Sequence, residues 1–158
     1  MNAQQAWPKT HKEIGLLVRV FGLLTALRLL LPRVKLQSLL RWLTPSQIAP
    51  IADPGTLEKT VQYTDALLWR LSFPLRGPCL PRSLTLYYFA TRCGFPVHVH
   101  CGVRRMGEAL QGHAWLSLHG KPFLEADISD CSYAVTFSFL GPETSAGEQV
   151  VSPPSVSA

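Results

Sequence analysis

Gly94 and Pro96 divide this chain into two halves whose apolar residues repeat at different intervals, and no other feature limits the fold as strongly. Up to Cys93 the apolar side chains recur at three- and four-residue spacings or surround whole helical cylinders. From Val97 onward the period is two. Val97, Val99, Cys101 and Val103 alternate with His98, His100 and Gly102, and Tyr133, Val135, Phe137 and Phe139 alternate with Ala134, Thr136 and Ser138. Helices followed by an antiparallel sheet are the order of an α+β domain.

The helical half reads as four segments. The stretch Ile14 to Leu31 is almost wholly apolar, but Arg19 and Arg28 sit half a turn apart in phase, so no face of that helix is free of charge. A central Arg costs about 2.5–3.5 kcal/mol on insertion scales, which disfavours a membrane span. The segment is expected to be mostly buried or to face a partner, with membrane association as a minority reading. Pro32 breaks it, and a second basic helix follows from about Val34 to Leu43. After a loop marked by Pro45, Pro50 and Pro54, Leu57, Val61, Leu68 and Leu71 outline an amphipathic helix that stops before Pro74. The stretch Leu80 to Cys93 is apolar on most sides, so it should be buried, and Pro81 suits its first turn because the amide it lacks would have no helical partner there.

Composition sets the class and the partners. With 158 residues, 47% apolar and 16% charged, the chain holds one core and is neither disordered nor a heavily solvated module. Its formal charge of +5 is unevenly placed: residues 1–50 carry seven basic side chains against Glu13 alone, and the remainder is nearly neutral. That pattern argues against nucleic acid as a partner. Three regions result: a basic, apolar helical segment over 1–50, a core over 51–140 and a disordered tail over 141–158, rich in Ser, Pro, Gly and Glu.

Cys79, Cys93, Cys101 and Cys131 lack paired metal-ligand spacing, and without a signal sequence they suggest a reducing cytoplasm. On one helix, Cys79 and Cys93 would stand about 21 Å apart, beyond disulfide reach. His98, His100 and Cys101 have no matching second half, so neither a metal nor a cofactor is expected.

Cys79 is the exception to this bland reading. It immediately precedes the buried helix, a position where unpaired amides and the positive end of the helix dipole favour a thiolate. His113 opens a later strand and could serve as its base. A turn at Leu118-His119-Gly120 makes a hairpin of the flanking segments. If its loop holds three residues, His113 lies opposite Glu125, with Asp127 one diagonal step away on the same face. A two-residue His119-Gly120 loop would set Ala126 opposite His113 and turn both carboxylates away. His98 and His100 share one strand face, where exposed histidines are the commoner case, and Arg82 could reach a carboxylate or anchor the buried helix.

The run Pro78-Cys-Leu-Pro-Arg-Ser-Leu-Thr-Leu86, then Cys93-Gly-Phe95, then Gly112-His-Ala-Trp-Leu116 and Gly120-Lys-Pro-Phe-Leu-Glu125 resembles the transglutaminase-like B2 proteins of lasso-peptide biosynthesis. The resemblance spans residues 57 to 140 and implies a papain-like, transglutaminase-type core in which a helix bearing the cysteine at its N-terminus packs on an antiparallel sheet. It implies a cysteine peptidase that removes the leader from a ribosomally made precursor peptide, with Cys79 as nucleophile, His113 as base and then acid, and an acidic residue twelve positions after the histidine. That residue is Glu125, where many members have Asp, so Asp127 is the alternative third member. The implied partners are the precursor peptide, a separate leader-binding protein and a lasso cyclase. The basic helices of residues 14 to 43 are the expected docking surface for one of these unless they simply pack on the core.

Two further classes fit the same residues. A transglutaminase-type acyltransferase would resolve the thioester with an amine instead of water. A non-catalytic binding module would use the N-terminal helices to contact a protein or a membrane surface, and a zinc module is a third option. Residues Arg104 to Gly112 are expected to form a loop that shapes specificity.

Overall fold

The computed structural model describes residues 8, 10–46, 54–70, 77–125 and 133–141. Asp127, Cys131 and the expected tail from residue 142 lie outside the described residues. Four helices precede four strands: α1 (His11–Leu30), α2 (Leu36–Leu43), α3 (Pro54–Arg70), α4 (Cys79–Arg92), β1 (His98–Met106), β2 (Ala109–Leu118), β3 (Lys121–Phe123) and β4 (Ala134–Phe139). The strands form one antiparallel sheet in the order β3-β2-β1-β4, so the α+β architecture is the one the change of period requires.

Thr10 caps α1 by accepting the Glu13 amide, and Glu13 pairs with Lys59 near the start of α3, which sets these two helices side by side. The helix α3 begins at Pro54, three residues earlier than the apolar spacing indicates, because proline in a first turn forfeits no hydrogen bond. Val20, Leu24 and Leu27 of α1 and Leu39 and Leu40 of α2 are buried in the same core as Leu84, Leu86 and Tyr87 of α4 and Val99 and Leu116 of the sheet. Polar links fasten α2 to α4: the Thr44 and Tyr87 hydroxyls lie 2.7 Å apart, and Arg92 donates to the Leu43 carbonyl over 2.8 Å. The N-terminal helices therefore close the core on the side of α4. Arg19 and Arg28 remain exposed, and no helix among the described residues is long and apolar enough to cross a membrane.

The sheet corrects one sequence expectation and decides between two registers that the sequence left open. Residues Arg104 to Gly112 are not a loop: β1 runs to Met106 and β2 starts at Ala109, with only Gly107-Glu108 between them. The half-buried Arg104 and the exposed Arg105 interrupt the apolar alternation there without interrupting the ladder. The second hairpin has a two-residue loop, because Leu118 pairs with Lys121 and Leu116 with Phe123. Both loop residues, His119 at φ 50 and Gly120 at φ 75, are left-handed, the tight turn whose twist suits adjoining strands. This register does not set Glu125 opposite His113.

Candidate active site

The helix α4 begins at Cys79, and its first internal hydrogen bond runs from the Arg82 amide to the Pro78 carbonyl over 3.0 Å. The Cys79 and Leu80 amides thus precede the helical ladder, and Pro81 has none. One turn further on, the Ser83 hydroxyl donates to the Ala114 carbonyl over 2.8 Å. Ala114 immediately follows His113, and the β2–β3 ladder has already ended at Leu116 and Phe123. The first turn of α4 consequently abuts β2 where β3 no longer covers its edge.

A second observation agrees. The Cys101 thiol is pushed up by burial and, to a lesser degree, by Cys79, so these sulfurs are within electrostatic reach. Cys101 pairs with Ala114 across β1 and β2, and the next rung joins Gly102 to His113. Cys79 and His113 therefore come from adjoining elements at one place in the fold. Strand alternation nevertheless directs them differently. Ala114 and Leu116 face the core, whereas His113, Trp115 and Ser117 share the opposite face. Among the described residues no hydrogen bond joins the Cys79 thiol to the His113 ring.

His113 is built into an aromatic stack. Its ring lies 6.1 Å from Trp115 and 5.3 Å from Tyr133, both nearly parallel to it. Trp115 continues the stack to His100 at 5.6 Å. Gly102 provides the floor: a Cβ there would come within 2.8 Å of the Ala134 carbonyl and 3.0 Å of the Trp115 ring. Burial first, and then the guanidinium groups of Arg82 and Arg104, push the His113 imidazole below its ordinary value. This favours the neutral imidazole, the form able to accept a proton.

Glu125 reaches this region by a different route from the one its register suggested. Leu124 adopts φ 59, which breaks strand alternation directly after β3, and the Glu125 carboxylate pairs with Arg82 over 2.8 Å. Arg82 also grips Asp65 of α3, at 2.6 Å and 3.3 Å, and the Leu124 carbonyl at 3.2 Å. Arg82 thus both reaches a carboxylate and anchors the helix, the two roles the sequence left open. The histidines of β1 are held rather than displayed: His100 lies 2.7 Å from the Ser117 hydroxyl and 2.9 Å from that of Ser138, and His98 accepts the Gly141 amide over 3.0 Å.

Sequence reasoning missed Tyr133, Asp65, Arg104 and Gly102 as parts of this region. Tyr133 reads only as one apolar strand residue, and it reaches His113 because β4 pairs with β1 through a bulge between Cys101 and Gly102. Asp65 reads as an ordinary polar position of an amphipathic helix. Gly102 carries a weak signal, since it replaces a side chain on an otherwise well-filled strand. Among the described residues, no group of three or more His, Cys, Asp or Glu is arranged to hold a metal ion.

A family model described as the transglutaminase-like superfamily matches residues 21–138, which is 118 of the 158 residues. The match begins within α1 and ends within β4, so it takes in the helices as well as the sheet. No curated protein and no solved structure is matched.

Proposed function

The chain belongs to the transglutaminase-like superfamily, and we propose that it is a cysteine peptidase that removes the leader from a ribosomally made precursor peptide, as in lasso-peptide maturation. The superfamily includes cysteine proteases and acyltransferases, so cysteine-dependent acyl chemistry is its common ground. The observation that carries the reading is the Ser83–Ala114 hydrogen bond, which holds the turn bearing Cys79 against the strand bearing His113. The narrower reading, leader removal, rests on the motifs Cys79-Leu-Pro-Arg-Ser-Leu84 and Gly112-His-Ala-Trp115.

In this mechanism His113 takes the Cys79 thiol proton and the thiolate attacks the carbonyl carbon of the scissile peptide bond. The Cys79 amide, outside the helical ladder, donates to the developing oxyanion. His113 returns the proton to the departing amine, and water then hydrolyses the thioester and regenerates the thiol. The step requires His113, which strand alternation turns to the sheet face away from the core, to come within hydrogen-bond reach of the Cys79 thiol. Glu125 is the proposed third member on its twelve-residue spacing, with Asp127 as the alternative. Arg82 holds Glu125 by an ion pair, and its positive charge disfavours protonation of His113.

The test is mass spectrometry of a candidate precursor peptide incubated with the protein, with and without a candidate leader-binding protein. Cleavage at a single bond, with the mass of one water added across the two fragments and lost in Cys79→Ala, supports the reading. A product joined to an added amine indicates the acyltransferase instead. An intact peptide with the partner present contradicts both.

A further inference from the structure

We propose that the outward face of α1 is a membrane-surface anchor, which lays this helix in the plane of an anionic lipid bilayer. The inward face of α1 is committed to the core through Val20, Leu24 and Leu27, all fully buried. On the opposite side Ile14, Val18, Phe21 and Leu29 are exposed at 47%, 62%, 46% and 57%. At the helical repeat these four fall within an arc of about 80°. Gly15 and Gly22, with nothing near them, and Thr25 lie on or beside that arc. The exposed Arg28 adjoins it beside Phe21, and the exposed Lys12 and Arg19 lie about 80–100° beyond Leu29 on the other side.

Charge and chemistry together select the occupant. Glu13 is the only carboxylate in residues 1–50, and it is paired with Lys59 of α3, so α1 itself adds no unpaired acid to this face. Two polar side chains lie within the arc, His11 and Thr25, and the Thr25 hydroxyl is satisfied because it donates to the Phe21 carbonyl over 2.9 Å. A protein partner would ordinarily be met by about one hydrogen bond per 100–200 Å² of interface, and within the arc this face offers little beyond the His11 ring. A bilayer needs none: acyl chains receive Ile14, Val18, Phe21 and Leu29, while Lys12 and Arg19 extend along the surface to the headgroup phosphates. Arg19 and Arg28, which disfavour α1 as a span, are well placed when it lies flat.

The test is co-sedimentation of the full chain with vesicles of phosphatidylcholine alone and of phosphatidylcholine mixed equally with phosphatidylglycerol. The chain should sediment with the mixed vesicles and remain in solution with the neutral ones. Val18→Asp combined with Phe21→Asp should weaken binding by about tenfold or more. Arg19→Ala should weaken it by about fivefold. All these residues are exposed, so circular dichroism should show unchanged helix content in each variant. Equal sedimentation of the double variant, or no preference for the anionic vesicles, overturns the proposal. So does self-association in solution that the double variant abolishes while vesicles fail to bind, because the face would then belong to a second copy of the chain.

Discussion

The Ser83 hydroxyl donates to the Ala114 carbonyl over 2.8 Å, one helical turn beyond Cys79 and one residue beyond His113. A cysteine at a helix start and a histidine on a strand have no fixed relation by themselves. This buried bond supplies one, since neither backbone can slide without leaving Ser83, which is wholly buried, unsatisfied.

Arg82 should prove as important to stability as to the site. It is largely buried and joins α3, α4 and the segment after β3 through Asp65, Glu125 and the Leu124 carbonyl. Arg82→Met leaves the mostly buried Glu125 side chain without its cation, and we expect a loss of about 2–3 kcal/mol in urea denaturation. Arg82→Lys, which keeps the charge but loses the fork, should recover only part of it.

Gly102→Ala should damage the site without touching a proposed catalytic group. The added methyl would lie 2.8 Å from the Ala134 carbonyl and 3.0 Å from the Trp115 ring, and backbone on one side cannot yield as a side chain can. We expect about 1–3 kcal/mol of destabilisation and a displaced His113–Trp115–Tyr133 stack. Near-ultraviolet circular dichroism would register the change in aromatic packing.

The histidines give stability a defined pH dependence. Burial and then His98 lower His100, and burial with Arg82 and Arg104 lowers His113, so the folded chain binds fewer protons than the unfolded chain just below the ordinary value near about 6.5. Their contribution is therefore complete above about pH 6.5 and declines as the pH falls through that value toward the folded ones. Urea denaturation at about pH 7.5 and about pH 5.5 should show the lower stability in acid, and His100→Asn should flatten the difference. The acid limb of kcat/KM should likewise lie below about 6.5 and move upward in Arg104→Ala.

Thr64 is fully buried in α3, and among the described residues its hydroxyl has no hydrogen-bond partner. Replacing it with the isosteric Val removes the unpaired group and keeps the shape. Thr64→Val should raise stability by about 1 kcal/mol, read from the urea midpoint.

Much of this arrangement is legible in the sequence for a physical reason. Hydrophobic period reports which face of an element is buried, so the helices, the turn to strands after Pro96 and the burial of α4 follow from it. The Cys79 and His113 motifs are similarly local. Hairpin register is not, because one residue more or less in the His119-Gly120 loop leaves the alternation of each strand unchanged while reversing which faces meet. The kink at Leu124 is equally silent, since leucine carries no preference for a positive φ, yet it brings Glu125 to Arg82. Tyr133 and Asp65 belong to the region only through long-range pairing, which no spacing within one element encodes.

The central claim is that Cys79 is a nucleophile served by His113. Its most direct test needs no substrate: the rate of alkylation of each cysteine by iodoacetamide near neutral pH, followed by peptide mass mapping in the wild type and in His113→Ala. The account predicts that Cys79 reacts about tenfold or more faster than Cys93, Cys101 or a model thiol, and that His113→Ala removes the difference. If Cys79 reacts no faster than the model thiol and is indifferent to His113→Ala, it is not the nucleophile of an enzyme.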